Sequence, residues 1–233
     1  MATLYLIPVP LGPVSPEACL PADTLAVARR LQHFVVERAK TARAHLKAMG
    51  HPLPIQALNI EELNEHTPAA AIAPLLEPLK AGHDVGLLSE AGCPAVADPG
   101  AALVLAAHRE NLPVVPLVGP SSILLALMAS GLGGQRFAFH GYLPAKEPER
   151  SQKIRELEKT ARRDRATQLF IETPYRSAAL LDALATALAP DTLVSVGADL
   201  SLPGQWIKTC SAKAWRGQAE TVRDRLVVFG IGG

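Results

Sequence analysis

The segment Asp84–Gly100, DVGLLSEAGCPAVADPG, is the most informative stretch of this 233-residue chain. Its apolar start, Asp84–Leu88, predicts a buried strand. Its end predicts a helix over Pro99–Glu110, with Asp98 as the N-cap residue and Pro99 at the first helical position. The residues between are small, so backbone groups can approach a ligand closely there. A strand, such a loop and a helix in succession are typical of a parallel α/β sheet, which binds ligands outside the carboxyl ends of its strands.

The alternation of strands and helices continues on both sides of this segment. In the N-terminal half, further strands are predicted at Leu4–Val9, Phe34–Glu37, Ile55–Asn59 and Val114–Leu117, and further helices at Asp23–Leu31, Thr41–Met49 and Ala69–Lys80, the last divided by Pro74 and Pro78. In the C-terminal half, helices are predicted at Ile123–Gly131, Glu147–Arg163 and Arg176–Leu188, and strands at Phe137–Tyr142, Gln168–Glu172, Leu193–Gly197, Gln205–Thr209 and Leu226–Ile231.

This pattern predicts an α/β protein with two α/β domains, residues 1–118 and 119–233. We expect a mainly parallel sheet in the N-terminal domain and a mixed sheet in the C-terminal domain. The boundary falls near Gly119–Pro120. A cleft between the domains is the expected ligand site.

The composition excludes several classes of protein. Lys and Arg number 23 against 22 Asp and Glu, a net charge of +1, so no overall charge indicates nucleic acid as a partner. Aromatic residues make up 4%, which argues against a base-stacking platform for single-stranded nucleic acid. No apolar stretch is long enough to span a bilayer, no secretory signal is evident, and the three cysteines suggest a reducing compartment. We expect a cytoplasmic protein without a membrane partner.

Other motifs give weaker signals. The seven histidines and three cysteines lack metal-ligand spacing, so no metal site is predicted. Gly119–Ser122 follows a strand and precedes a helix, which favours an N-cap serine over a carboxylate-binding helix start. Glu172–Arg176 is a similar junction, where a helix start explains Pro174 and leaves a carboxylate at the end of a strand.

The stretch Lys146–Arg165 is locally basic, with eight Lys and Arg against five Asp and Glu, a net charge of +3. One interpretation is a solvated helix with ion pairs four residues apart, such as Glu149–Lys153. The other is an edge that contacts phosphates, whose affinity would fall steeply with salt.

Several of these junctions, in this order, resemble the tetrapyrrole methylase superfamily of S-adenosylmethionine-dependent methyltransferases. Within it, the chain is most similar to the bacterial branch that methylates the ribose 2′-oxygen of a cytidine in small-subunit ribosomal RNA. The similar pieces are LYLIPVPLG (4–12), the Glu37…Arg43 helix, Asn64-Glu65, SEAGCPAVADPG (89–100), VGPSSILLALMASGL (118–132), FAFHGYLPAK (137–146), FIETPYR (170–176) and the last strand.

The resemblance implies a homodimer that binds S-adenosylmethionine with loops from both domains, releases S-adenosylhomocysteine and needs no metal. It places the donor against Pro8 after the first strand and against Ser89, Glu90, Ala91, Gly92 and Cys93. It further implies contacts from Ser121 and Ser122, from Phe170, Ile171, Glu172 and Thr173, and from the loop around Ala198. No role beyond packing is expected for Cys93.

The chain departs from this branch on the acceptor side. Where the branch has Glu-Asp-Thr-Arg, His-Asn-Glu and Arg-Glu-Leu-Thr, this chain has Glu37-Arg38-Ala39-Lys40, Leu63-Asn64-Glu65 and Ala198-Asp199-Leu200-Ser201. Three functions therefore stay open. The first is ribose 2′-O-methylation of ribosomal RNA in the small subunit, the second is methylation of a tetrapyrrole or other metabolite, and the third is donor binding without catalysis.

Methyl transfer to a hydroxyl benefits from a general base within hydrogen-bond reach of the acceptor. Glu37, Glu65 and Glu172 are the candidates, because each lies at or near the carboxyl end of a predicted strand. Glu37 leads because it is retained where its neighbours differ. For each, the alternative is a loop carboxylate in an ion pair with Arg38, Arg43 or Arg176.

Overall fold

In the computed structural model, which describes residues 2–232, the chain divides into two units after Ser121. The predicted boundary, between residues 118 and 119, lies three residues earlier. Each unit has a five-stranded sheet and its own hydrophobic core. The prediction of two α/β folds, the first parallel and the second mixed, is confirmed.

Unit 1 is built on five short parallel strands. They are β1 (Leu4–Ile7), β2 (His33–Val36), β3 (Asn59–Glu62), β4 (Val85–Leu88) and β5 (Val114–Pro116). Their order in the sheet is β3-β2-β4-β1-β5, and every neighbouring pair is parallel. All residues of the central strand β4 are buried, as expected where helices cover both faces.

Four helices pack on this sheet: α1 (Ala22–Arg30), α2 (Ala39–Ala48), α3 (Glu77–Lys80) and α4 (Ala101–Arg109). Leu25 of α1 and Leu46 of α2 join the core on one face, whereas Leu103 of α4 joins the core on the other. The chain thus leaves β1 toward one face and its neighbour β4 toward the opposite face. The carboxyl ends of β1 and β4 therefore form the switch point at which such sheets bind ligands.

Unit 2 is built on a mixed sheet. Its strands are β6 (Phe137–Tyr142), β7 (Thr167–Glu172), β8 (Leu193–Ala198), β9 (Trp206–Ser211) and β10 (Val227–Gly232). The order is β6-β7-β10-β8-β9, in which only β6 and β7 run parallel. Its helices are α5 (Ser122–Ser130), α6 (Glu149–Asp164), α7 (Pro174–Ala187) and α8 (Ala212–Trp215).

The core of unit 2 joins α6, α7 and α8 to the sheet. Trp215 is buried at its base, where its indole N–H donates to the Val194 carbonyl at 2.9 Å. The ring of Trp206 meets that of Trp215 edge to face, with centroids 6.0 Å apart. Because the indole nitrogen is satisfied, this large side chain can be buried without an unpaired polar group.

Two predicted elements need comment. The predicted strand at Ile55–Asn59 is wrong: Ile55–Ala57 forms a 3-10 turn after Pro54, and the third strand begins only at Asn59. Pro54 favours that turn, and β3 is an edge strand with exposed polar residues, which gives no apolar alternation to detect. The predicted helix at Ala69–Lys80 is divided, as its prolines indicate, into two 3-10 turns and the short α3.

Candidate active site

Three loops that follow strands of unit 1 meet at the switch point. The Val9 amide donates to the Gly92 carbonyl at 2.9 Å, and the Gly92 amide donates to the Val9 carbonyl at 3.1 Å. The Cys93 thiol lies 3.4 Å from the Pro120 carbonyl oxygen, which adds the loop after β5. The loops after β1, β4 and β5 are therefore in contact with one another.

Two glycines make this close approach geometrically feasible. Gly92 has a φ of +71°, and a Cβ there would lie 3.1 Å from Leu11 Cδ2. A Cβ at Gly119 would lie 2.7 Å from Cγ of Pro8, closer than real Cβ contacts come. A side chain at Gly119 would push the loops apart, whereas one at Gly92 would crowd Leu11 and strain a left-handed backbone. The small residues that the sequence analysis singled out in these loops thus have a steric reason.

The loop between β4 and α4 has a constrained backbone. Ala95 and Ala97 adopt left-handed φ values of 65° and 56°, a conformation that non-glycine residues rarely adopt and that clusters at functional sites. Asp98 holds the turn, because its Oδ1 accepts from the amides of Ala95 (3.2 Å) and Gly100 (2.7 Å). The predicted helix start at Asp98 and Pro99 is therefore wrong: the bonded turn precedes the helix, and Gly100 is its N-cap residue.

Ser89 and Glu90 begin this loop at the end of β4. Ser89 is 6% exposed, and its hydroxyl donates to the Gly92 carbonyl at 3.2 Å, which ties the loop to itself. The Glu90 carboxylate accepts from the Thr41 hydroxyl at 3.0 Å. His45 Nε2 lies 3.2 Å from the Glu90 carbonyl oxygen. The first turns of α2 therefore fix the start of the predicted donor loop.

A groove of about 320 Å³ adjoins Glu90. Its walls are mainly apolar and include Leu11 and Val14 from the loop after β1. The polar side chains that line it are Thr41, His45 and Glu90. A mostly apolar concavity with a few polar groups is the usual form of a small-ligand site.

Glu37 follows β2 at the same edge of the sheet. Its side chain is half-buried and makes no hydrogen bond or ion pair within the described part of the chain, residues 2–232. Burial raises the pKa of Glu37, and the negative charges of Asp98, Glu90 and Glu65 raise it further against the opposing effect of Arg38. Glu37 is thus a carboxylate with increased proton affinity and no fixed partner.

Asp98 lies in the same electrostatic environment. Burial raises the pKa of Asp98, as does Glu90, whereas the hydrogen bonds from the Gly100 and Ala95 amides lower it. Its Oδ2 is buried and has no hydrogen-bond partner among residues 2–232. Among residues 2–232, the cation that lowers the pKa of Glu37 is Arg38, whose Nε is 3.9 Å from Glu90 Oε2. The edge therefore carries an excess of negative charge.

The other two candidate bases have different surroundings. Glu65 follows β3, but its side chain is 84% exposed and lies 3.6 Å from His66 Nε2. Glu172 ends β7 in unit 2 with its side chain 3% exposed, and its Oε1 accepts from Arg176 Nη2 at 2.6 Å and from the Thr173 amide at 2.7 Å. The ion-pair alternative thus applies to Glu172, and Glu37 remains the half-buried candidate with no ion pair in the described chain.

The predicted donor contacts in unit 2 differ in what they can offer a ligand. The Phe170 side chain is fully buried and stacks on Phe229 with centroids 5.8 Å apart, and Ala198 is also fully buried. Neither residue therefore has accessible surface to offer a donor. Ile171 and Thr173 are half-buried and keep partly accessible side chains. Ser121 and Ser122 lie half-buried at the start of α5.

Neither Cys93 nor a metal group adds a reactive centre among residues 2–232. Burial raises the pKa of the Cys93 thiol, which keeps it protonated and unreactive at neutral pH. Within residues 2–232, no three His, Cys, Asp or Glu side chains are grouped so that they could hold a metal ion. In the same range no helix is both long and apolar enough to cross a membrane.

Sequence reasoning missed two contributors to this edge. It treated Asp98 only as a helix cap, because nothing in the sequence indicates that a residue 61 positions after Glu37 lies close enough to affect its pKa. His45 was not considered, although its spacing of four residues from Thr41 places both on one face of α2.

The chain matches one protein family and several named relatives. The family model of the tetrapyrrole (corrin/porphyrin) methylases matches residues 6–214. A Mesorhizobium japonicum protein named ribosomal RNA small subunit methyltransferase I is 32% identical over 228 residues, which span 97% of this chain and 74% of that protein. A protein of the same name from Micromonospora olivasterospora is 36% identical, but the match spans 80% of this chain and only 56% of that relative.

Solved structures show the same fold. The crystal structure of the methyltransferase CobJ superposes with a TM-score of 0.63 at 20% identity, covering 100% of this chain and 93% of that one. The resemblance to the tetrapyrrole methylases and to their ribosomal RNA branch is thereby confirmed, as is the prediction of a methyltransferase. With the family model spanning most of both units, the chain belongs to the tetrapyrrole (corrin/porphyrin) methylase family.

Proposed function

We propose that this chain transfers the methyl group of S-adenosylmethionine to a ribose 2′-hydroxyl of small-subunit ribosomal RNA. The observation that carries the proposal is the carboxyl edge of the unit 1 sheet, which holds both the Val9–Gly92 backbone pair and a half-buried Glu37 with a raised pKa. The printed names of the relatives favour ribosomal RNA as the acceptor.

The residues of this edge fit such a donor. A Cβ at Gly92 would fill space between Leu11 and Pro120, so the glycine leaves a cradle of bare backbone. The buried Asp98 Oδ2, unpartnered within residues 2–232, can accept a hydrogen bond from a ligand. The acidic character of the edge favours a positively charged donor over its neutral product.

The chemistry requires alignment and one proton acceptor. S-adenosylmethionine supplies a methyl group bonded to a positively charged sulfur. In our proposal the Glu37 carboxylate takes the proton of the acceptor hydroxyl while the oxygen–methyl bond forms and the sulfur–methyl bond breaks. The raised pKa makes Glu37 a better base than an ordinary carboxylate, and the fixed loops align the two reactants.

The first test is calorimetric titration with S-adenosylmethionine and S-adenosylhomocysteine. We expect both to bind the wild type and neither to bind Gly92→Arg, whose side chain would fill the cradle. Gly134→Arg is the matched control, because a Cβ at Gly134 meets only the Leu127 side chain, at 3.6 Å. A folded wild type that binds neither ligand would remove the methyltransferase proposal.

The second test identifies the acceptor. Labelled methyl transfer into small-subunit ribosomal RNA, in a linkage that resists alkaline hydrolysis, is expected because alkali needs a free 2′-hydroxyl to cleave the chain. Label in a small-molecule extract but not in RNA would favour the metabolite alternative. Donor binding without transfer to either would favour a homologue that binds the donor without catalysis.

We further propose a cytoplasmic homodimer. Met128 and Leu124 lie one turn apart on α5 and are 78% and 51% exposed, and burial in a second copy would remove such apolar surface from water. Light scattering on the wild type and on Met128→Lys tests this: we expect a dimer that the substitution weakens. A monomeric wild type at micromolar concentration would contradict it.

A further inference from the structure

The near-neutral net charge of the chain conceals a division between its units. Residues up to 121 carry eight Lys and Arg against eleven Asp and Glu, a net charge of −3. Residues from 122 onward carry fifteen against eleven, a net charge of +4. The net charge of +1 for the whole chain therefore does not indicate how strongly either unit attracts a polyanion.

Helix α6 concentrates the positive charge of unit 2. Ile154, Leu157 and Ala161 form its buried side. At 100° per residue, Arg155, Lys159 and Arg162 fall within about 60° of one another on one flank of the exposed side. Glu149 and Glu156 fall on the other flank. We call the first flank, Arg155, Lys159 and Arg162, the basic edge.

Two cations of the basic edge have no partner among the described residues. Arg155 and Lys159 are exposed and make no hydrogen bond or ion pair to any residue from 2 to 232. The predicted pair Glu149–Lys153 is not formed; Lys153 instead lies 3.9 Å from Glu156, away from the basic edge. Ion pairing therefore occupies the acidic flank and leaves Arg155 and Lys159 to solvent.

The acid nearest the basic edge does not neutralise these two cations. The Glu158 side chain is 14% exposed, and its Oε1 accepts from the Ala189 amide at 3.0 Å and from the Thr192 hydroxyl. Its cationic neighbour is Arg162, at 3.6 Å, which also pairs with Asp191 at 3.0 Å. Arg162 is therefore held in place beside Arg155 and Lys159.

We propose that the basic edge of α6 binds the phosphate backbone of the RNA acceptor. This inference rests on the proposed function, and it adds which surface of the chain binds the RNA. Cations at successive turns, about 6 Å apart along a helix axis, present a row of charge to a polyanion without reading its bases. Such contacts release counterions, so their signature is salt dependence and not sequence preference.

The test is RNA binding measured against salt concentration for the wild type and Arg155→Gln/Lys159→Gln. Each lost phosphate contact removes about 0.7–0.9 from the slope of log K against log[salt]. We expect the double variant to have a slope shallower by about 1.5 and to bind about tenfold or more weakly at low salt. Each single variant should show half of the slope change.

The matched control is Lys47→Gln/Arg109→Gln. These exposed cations make no ion pair within residues 2–232, and they lie near the carboxyl-terminal ends of α2 and α4, at the sheet edge opposite the candidate active site. The control removes the same charge and is expected to keep the wild-type slope.

The outcomes separate the two proposals. A double variant with the same slope as the control overturns the basic edge, while methyl transfer to RNA by the wild type would still support the proposed function. A wild type that binds S-adenosylmethionine but neither binds nor methylates RNA overturns both. Calorimetric donor binding by the double variant checks that a loss of RNA affinity is not a loss of folding.

Discussion

The carboxyl ends of β2 in unit 1 and β7 in unit 2 each present a glutamate, and the two side chains meet opposite conditions. Glu172 has an arginine four residues later, and Arg176 on the first turn of α7 binds it at 2.6 Å. Glu37 has Thr41 at the same spacing, and the Thr41 hydroxyl donates to Glu90 instead. The residue four positions later therefore differs at the two sites: Arg176 binds Glu172, with Thr173 as a second donor, whereas Thr41 bonds elsewhere.

The largest expected effect is on catalysis, in which we propose a role for Glu37 but not for Glu172. Glu37→Gln should lower the turnover of methyl transfer by about 10²–10⁴-fold, because that is the range a general base contributes. Donor affinity should fall much less, because Asp98 and Glu90 remain at this edge. Calorimetry measures the donor affinity, and single-turnover assays measure the transfer step.

Glu65→Gln is the matched control for that substitution, since its carboxylate follows the neighbouring strand but is 84% exposed. We expect near wild-type turnover. If Glu65→Gln lowers turnover as much as Glu37→Gln does, the assignment of Glu37 as the general base is wrong.

The next largest effect concerns the contact in unit 1 between the loop after β1 and the loop after β5. Gly119→Ala places a methyl group against the Pro8 ring and should destabilise the protein by about 1–3 kcal/mol, the usual cost of overpacking. Chemical denaturation followed by circular dichroism measures this. Gly134→Ala, which meets only Leu127 at 3.6 Å, should be close to neutral, and equal costs for the two would show that the Pro8 contact has no special role.

A third prediction concerns Glu172, the carboxylate that its ion pair with Arg176 holds in place. Glu172→Gln leaves the Arg176 guanidinium without its charged partner and should lower the free energy of unfolding by about 1–2 kcal/mol, discounted because Arg176 is 30% exposed. Arg223→Gln breaks the exposed Glu220 pair and should change the free energy of unfolding far less, because water screens both charges. A Glu172 variant as stable as wild type would mean that its ion pair contributes nothing net.

The smallest effect is a pH dependence of stability. The pKa of Glu37 is raised on folding, so the folded state binds its proton more tightly than the unfolded state. Its contribution to stability is fully present below the ordinary pKa of 4.5 and is lost as the pH rises through the folded value. Glu37→Gln should remove that loss, so the variant should gain stability relative to wild type between weakly acidic and neutral pH. Denaturation curves at several pH values test the sign.

The sequence predicted the order of strands and helices well, because apolar runs and turn residues are local signals. It failed at Ile55–Asn59, where Pro54 starts a turn and the edge strand that follows is mostly polar. It also missed the turn at Asp98, since the helix-start pattern there predicts an N-cap residue two positions before the observed one, Gly100.

The candidate site was harder to predict because it depends on contacts between distant loops. The sequence alone predicts which loops follow strands, and it favours Glu37 among the candidate bases. The influence of Asp98 and Glu90 on Glu37 arises only from the placement of β2 beside β4, which no local pattern encodes.

The edge-to-face pair of Trp206 and Trp215 has a spectroscopic consequence. These are the two tryptophans of the chain, and both lie in unit 2. Intrinsic tryptophan emission therefore follows the unfolding of unit 2 alone, whereas far-ultraviolet circular dichroism follows both units. Coincident midpoints would mean that the units unfold as one cooperative block, and separate midpoints would give each its own stability without any added label.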